Sequence, residues 1–226
     1  MRYFFRSSFI FIALSLLANV SIGTVENQQQ CLRRLKGDIL DLSVYEGKLI
    51  IVSGPSGVGK DTVVQGAMNG NENLMFSVSA TTRAPRPGEE HGKDYFFITQ
   101  EEFEAMISRG EFFEHAQYTG NYYGTPMPFV VESLSAGRDV VLVIDVQGAL
   151  QIQDMTRGAV SIFIAPPSVE VLEARLRGRG TEEESVVQKR LQQAQIELGF
   201  QDRYTHVVVN DDLDIAIQEV LGIVGE

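Results

Sequence analysis

The chain of 226 residues is 44% hydrophobic and 22% charged, a soluble globular balance long enough for one well-buried domain with or without an inserted subdomain. Its formal net charge of −11 argues against a broad nucleic-acid or anionic-membrane surface, so an anionic substrate has to be met by a few local cations. A lone cysteine, Cys31, excludes an internal disulfide framework, and His91, His115 and His206 show no metal-ligand spacing.

The first 23 residues, MRYFFRSSFIFIALSLLANVSIG, differ from the rest. Arg2 and Arg6 precede an apolar run from about Phe9 to Val20, with no acidic residue before Glu26. The run is short for a membrane span and fits an export signal or an organelle-targeting leader, with Ser21 and Gly23 as small residues for cleavage. The alternative is a mis-assigned start and a cytoplasmic protein. No methionine lies between Met1 and Met68, so that start would be a non-Met codon near Val25 or Val44. No stable membrane association is expected once the leader is removed. Residues 24–47 are polar and weakly periodic, and read as a linker with a short helix around Leu32 to Leu42.

From Lys48 the pattern becomes regular. KLIIVS reads as a strand, a Gly-rich loop follows, and DTVVQGAM reads as a helix. Further strands are expected at LMFSVSA, DYFFIT, EFFEHAQ, DVVLVID, AVSIFIA and HVVVN. Helices are expected at about 100–109, 126–136, 147–155, 168–178, 182–199 and 212–224. Strands that alternate with helices, with near-continuous apolar runs at VVLVI and SIFI, predict an α/β fold: a parallel sheet covered by helices on both faces. The section from about 80 to 125 is richer in turns and charge, as an inserted subdomain would be.

GPSGVGKDT, residues 54–62, follows an apolar strand and opens a helix. Three glycines let the backbone curl, so that amide N–H groups and the helix's positive end can surround a di- or triphosphate while Lys60 reaches the outer phosphates. Without a ligand the same stretch is simply a tight strand-to-helix turn. VVLVID, residues 140–145, ends a buried strand on Asp145, where nucleotide-transferring folds commonly place a carboxylate near the metal. Any strand can end in Asp, so this second signal is weak by itself.

Several long motifs in order resemble guanylate kinases: IVSGPSGVGK, SVSATTRAPRPGEEHGKDYFFIT, GEFFEHAQYTGNYYGT, IDVQGA, IFIAPPSVEVLEARLRGRG and VVVNDDLD. The resemblance covers about residues 48–224. It implies ATP-dependent phosphorylation of GMP, with ATP and GMP as partners, Mg2+ accompanying ATP, a GMP-binding insertion at about 80–125 and a helical lid at about 175–195. The net charge argues against a nucleic-acid partner, and no protein partner is predictable. The acceptor is already anionic, so the chemistry requires positioning and charge neutralisation rather than a general base.

The resemblance assigns ATP to Gly54, Pro55, Ser56, Gly57, Val58, Gly59, Lys60, Asp61 and Thr62, with Asn210 and Asp211 near the adenine. It assigns GMP to Ser79, Arg83, Arg86, Tyr95, Glu114, Tyr123, Thr125 and Asp145. Guanidinium forks suit a phosphate, and a carboxylate at Glu114 suits the adjacent N–H donors of guanine, an arrangement adenine lacks. Lys60, Arg83, Arg175, Arg179 and Arg190 are the expected catalytic cations. Arg175 and Arg179, at i and i+4, share a helical face. For Arg177 a salt-bridged surface role is expected, given the glutamates around it.

Two positions depart from the family pattern, and both concern the metal. Asp61 stands where Ser or Thr is usual, and Val143 stands where family members often carry Asp. Positions 143 and 145 share a face of their strand, so one carboxylate is missing beside Asp145 while another has appeared at 61. Asp61 facing phosphate would be repelled by about 4 kcal/mol per charge at about 4 Å, and facing magnesium would gain roughly twice that. Charge alone does not decide between these two, and geometry does; on the paired loss and gain, Asp61 and Asp145 are the expected metal ligands, although Asp at a helix start is also favoured by the dipole whatever it binds. Two other functions remain in view: phosphorylation of another nucleoside monophosphate, and a catalytically impaired binding module that has lost metal chemistry at these two positions.

Overall fold

The computed structural model describes residues 39–118, 120–178 and 184–225. The leader and most of the short helix expected at Leu32 to Leu42 lie outside them; at its described end, Leu40–Asp41 is extended and Leu42–Val44 forms one 3-10 turn. Asp41 caps that turn by accepting the Ser43 N–H at 3.0 Å, and the local hydrogen bond favours a turn over a continuing helix. Leu42 is buried.

In chain order the main elements are β1 (Leu49–Ser53), α1 (Lys60–Gly70), β2 (Leu74–Phe76), β3 (Ala80–Thr81), β4 (Phe96–Phe97) and α2 (Gln100–Arg109). They continue with β5 (Phe112–Tyr118), β6 (Asn121–Pro126), α3 (Met127–Ser135), β7 (Asp139–Val143) and α4 (Val146–Met155). The last are β8 (Val160–Ala165), α5 (Val169–Gly178), α6 (Glu184–Leu198), β9 (His206–Val209) and α7 (Leu213–Gly225). The chain divides into two compact units, one of Asp41–Ser77 with Glu132–Glu226 and the other containing Val78–Val131.

The larger unit is built on a five-stranded parallel sheet in the order β9-β8-β1-β7-β2. Every residue of β1 is buried, which is why LIIVS reads as a continuous apolar run rather than an alternating one. Ile50 and Val52 share a core with Val63, Val64 and Ala67 of α1, Ile162 and Ile164 of β8, and Ala216, Val220 and Val224 of α7. These spacings, at i, i+3 or i+4, are the buried stripes of two amphipathic helices. Together they hold the C-terminal end of β1, and so the start of the Gly-rich loop, in a fixed place.

The smaller unit carries a four-stranded sheet in the order β4-β3-β6-β5. β6 runs antiparallel to both β3 and β5, while β3 and β4 are parallel. Its core stacks Phe103 of α2 between Phe112 and Tyr122, with ring centroids 4.3 and 5.2 Å apart. α2 is bounded by Thr99, whose hydroxyl accepts the Glu102 N–H at 3.2 Å, and by Gly110 in the left-handed region.

Two expected strands change form. LMFSVSA is not one strand: β2 ends at Phe76, the Ser77 N–H makes a last bond to the Val141 carbonyl, and Ala80–Thr81 belongs to the other sheet. DYFFIT contributes only Phe96–Phe97. The strand β6, which was not expected as a separate element, follows the turn at Gly120 and pairs along β5.

Candidate nucleotide and phosphoryl-transfer site

The Gly-rich loop leaves β1 at Gly54, whose φ is +148° and whose Cβ, if present, would lie 2.2 Å from the Ile164 carbonyl oxygen. Only glycine lets the backbone pass that close to β8. The loop closes on itself through the Val58 N–H to the Pro55 carbonyl, 3.3 Å, and α1 starts at Lys60 with Gly59 at its N-cap. No side chain caps α1, so its first amides are directed to whatever enters the loop.

Lys60 is mostly covered, at 13% side-chain exposure. Its ammonium donates toward the Gly54 carbonyl at 3.5 Å and stands 3.8 Å from Asp145 Oδ1. Asp145 is 81% exposed at the N-terminus of α4 and makes no capping bond there. The phosphate-loop lysine and the strand-end carboxylate, singled out separately in the sequence, are thus in contact. Asp145 was also expected against GMP; its contact here is with Lys60.

Other residues of the larger unit reach the loop from far along the sequence. Arg190 of α6 donates from Nη2 to Ser56 Oγ at 2.5 Å. Asn210, 6% exposed, donates from Nδ2 to the Val58 carbonyl at 2.7 Å while its own N–H bonds the Ala165 carbonyl at 2.8 Å. Asn210 therefore ties the end of β8 to the middle of the loop. Asp61, Thr62 and Asp211 are exposed, and Arg175 is half-buried on α5. Arg179 lies outside the described residues. Arg177 is paired with Glu173 and, at 2.6 Å, with Glu184, the surface role expected of it.

Sequence reasoning gave no role to Glu197, at the C-terminal end of α6. Burial pushes its carboxyl above the ordinary range and the Asp145 charge adds to that, while Gln193, Lys60 and the Ser56 N–H pull it down. Glu197 stands seven residues after Arg190, two helical turns on and on the same face, which is the one signal that could have singled it out.

The smaller unit gathers the other expected set. Glu114 and Thr125 are both buried, and Thr125 Oγ1 donates to Glu114 Oε1 at 2.8 Å. The guanidinium of Arg83 lies 5.4 Å from the Tyr95 ring centroid, and the Tyr95 and Tyr123 rings are 6.2 Å apart. Ser79 is half-buried and its carbonyl accepts the Phe96 N–H at 2.8 Å. Arg86 is exposed, and its N–H is held by Glu89 at 2.7 Å. Glu89 also forks onto Arg83, and that contact holds its carboxyl below the usual range. Among the described residues no three His, Cys, Asp or Glu side chains cluster as a metal site, and no helix is long and apolar enough to cross a membrane.

The model of the guanylate kinase family matches residues 46–226, four-fifths of the chain and every residue placed in the site above. The chain belongs to the guanylate kinase family. It is 47% identical over 179 residues to the guanylate kinase of Halalkalibacterium halodurans, covering 79% of this chain and 88% of that one. It is 48% identical over 186 residues to that of Synechocystis sp., covering 82% and 97%. Its fold matches the crystal structure of guanylate kinase from Anaplasma phagocytophilum with a TM-score of 0.66 at 38% identity, over 80% of this chain and 86% of that one. The fold of this guanylate kinase family member is of the expected class, an α/β protein with a largely parallel sheet.

Proposed function

We propose that the protein transfers the terminal phosphoryl group of ATP to the phosphate of GMP, giving ADP and GDP. The observation that carries this reading is the loop Gly54–Lys60, with Lys60 held against Asp145, in a chain nearly half identical to guanylate kinases over most of its length. An anionic oxygen of GMP attacks the γ-phosphorus, the bridging β–γ P–O bond breaks, and ADP leaves with the electron pair. The loop amides and Lys60 hold the ATP phosphates. Arg175, Arg179 and Arg190 neutralise charge on the ATP side, while Arg83, Arg86, Tyr95 and Tyr123 hold the GMP phosphate. Ser79, Glu114 and Thr125 select guanine.

Magnesium fits the donor set. Mg2+ takes one or two carboxylates besides phosphates and water, and Asp145 offers an exposed carboxylate free of capping duty, with Asp61 exposed on the first turn of α1. When bound with ATP it would supply charge neutralisation between phosphates. The leader at residues 1–23 would suit a compartment that contains ATP.

A coupled ADP-release assay over a panel of nucleoside monophosphates, with and without magnesium, tests the reading. Turnover is expected with GMP and magnesium, and at least about a hundredfold less with AMP, because the Glu114 carboxylate would be left without its donors. GMP binding without any ADP release would move the chain to the binding-module class.

A further inference from the structure

Glu89 has no part in the reading above, yet it makes a two-pronged charged contact in the smaller unit. Its Oε2 accepts from Arg83 Nη1 and its Oε1 from Arg83 Nη2, both at 2.9 Å, and Oε2 also takes the Arg86 N–H at 2.7 Å. The second Nη1 hydrogen goes to the Ala84 carbonyl at 2.7 Å. The pair is well covered, at 14% and 20% side-chain exposure, and the guanidinium is backed by the rings of Tyr95 and Phe97 at 5.4 and 5.7 Å.

A guanidinium offers five N–H donors in one plane. Glu89 occupies the end-on face and Ala84 takes the outer Nη1–H, which leaves the Nε–H and the outer Nη2–H pointing the same way. That edge is itself a two-pronged donor matched to a phosphate. We propose that Glu89 is the positioning residue of the acceptor site: by forking onto Arg83 and holding the Arg86 backbone it presents the Nε/Nη2 edge of Arg83 to the phosphate of a nucleoside monophosphate. The proposal rests on the GMP-kinase reading for the identity of the ligand, but not for the orientation of Arg83.

Steady-state kinetics and binding on the full chain test it. Glu89→Ala is expected to raise KM for GMP about tenfold, a loss of about 1.4 kcal/mol, while kcat and KM for ATP change less than about threefold. Glu89→Gln, which keeps one acceptor, is expected to fall between. In a cycle with Arg83→Lys, the double variant is expected to match Arg83→Lys alone, because Glu89 acts through the fork that lysine lacks. The Arg83 Nε–H resonance, followed without nucleotide, is expected to be sharp in the parent and broadened in both Glu89 variants. That arm reads orientation even if the parent proves unable to turn GMP over. An unchanged resonance, losses that simply add, or tighter GMP binding by Glu89→Gln, as a displaced place-holder would give, overturns the proposal. Should Glu89→Ala fail to fold, Glu89→Gln carries the same comparisons.

Discussion

Thr125 and Glu114 face each other across two antiparallel strands, with the threonine hydroxyl donating to the carboxylate at 2.8 Å and neither residue more than 8% exposed. A buried carboxylate has to be oriented by donors or it loses more than it gains from its ligand. Thr125→Val keeps the volume and removes one donor, so it is expected to lower stability by about 1–3 kcal/mol and to raise KM for GMP about tenfold. Thermal melts and GMP titrations would show both. Unchanged GMP affinity in Thr125→Val would remove its orienting role.

The two departures from the family pattern differ in their surroundings. Asp61 is exposed in the first turn of α1, where it interacts with the helix dipole, so Asp61→Ser is expected to cost no more than about 1 kcal/mol. Val143 packs against the core of the sheet, and Val143→Asp is expected to destabilise by about 1–3 kcal/mol through partial burial of a charge. If acidic character has moved from 143 to 61, each single variant alters the magnesium dependence of turnover, and the double variant recovers more than the product of the two. Four-way kinetics over a magnesium series decides; strictly multiplicative effects dismiss compensation.

How far the site is legible in the sequence depends on how far apart its parts lie. Gly54–Lys60 announces itself because strand, glycines and lysine fall in one short stretch. Its outer supports do not: Arg190 and Asn210 reach the loop across 134 and 152 positions, and only the fold brings them there. Glu89 sits in PGEEHG, which resembles a solvated charged turn until Arg83 is seen folded back onto it. The break after Phe76 is invisible for a different reason, since apolar residues continue through Val78 and Ala80 while their hydrogen-bond partners change sheets.

Arg177 offers a control on the ATP side. Glu184 has its carboxyl lowered to about 2, first by the hydrogen bond from Arg177 and then by Gln188. A depressed carboxyl contributes stability that is present above its ordinary pKa of about 4.3 and is lost as pH falls through the folded value. The window is therefore between about pH 4.3 and pH 2. Arg177→Met is expected to return Glu184 toward the ordinary range in a side-chain NMR titration and to leave GMP turnover within about twofold, as befits an exposed pair. A tenfold loss of turnover would instead place Arg177 among the working cations.

Asn210 tests whether the loop is held or holds itself. Its side chain donates to Val58 and its backbone to Ala165, so it links two elements that no local sequence joins. Asn210→Ala leaves the Val58 carbonyl one donor short, which predicts a stability loss of about 1–3 kcal/mol and a KM for ATP raised more than that for GMP. Gly59→Ala approaches the same contact from the other side: its φ of +92° is unfavourable for alanine, and the new Cβ would stand 2.7 Å from Asn210 Nδ2. The two lesions meet at one hydrogen bond, so the double variant is expected to lose less than the sum of the singles. Additive losses in melts and ATP titrations would mean that the loop keeps its shape through its own backbone, with Asn210 merely packed beside it.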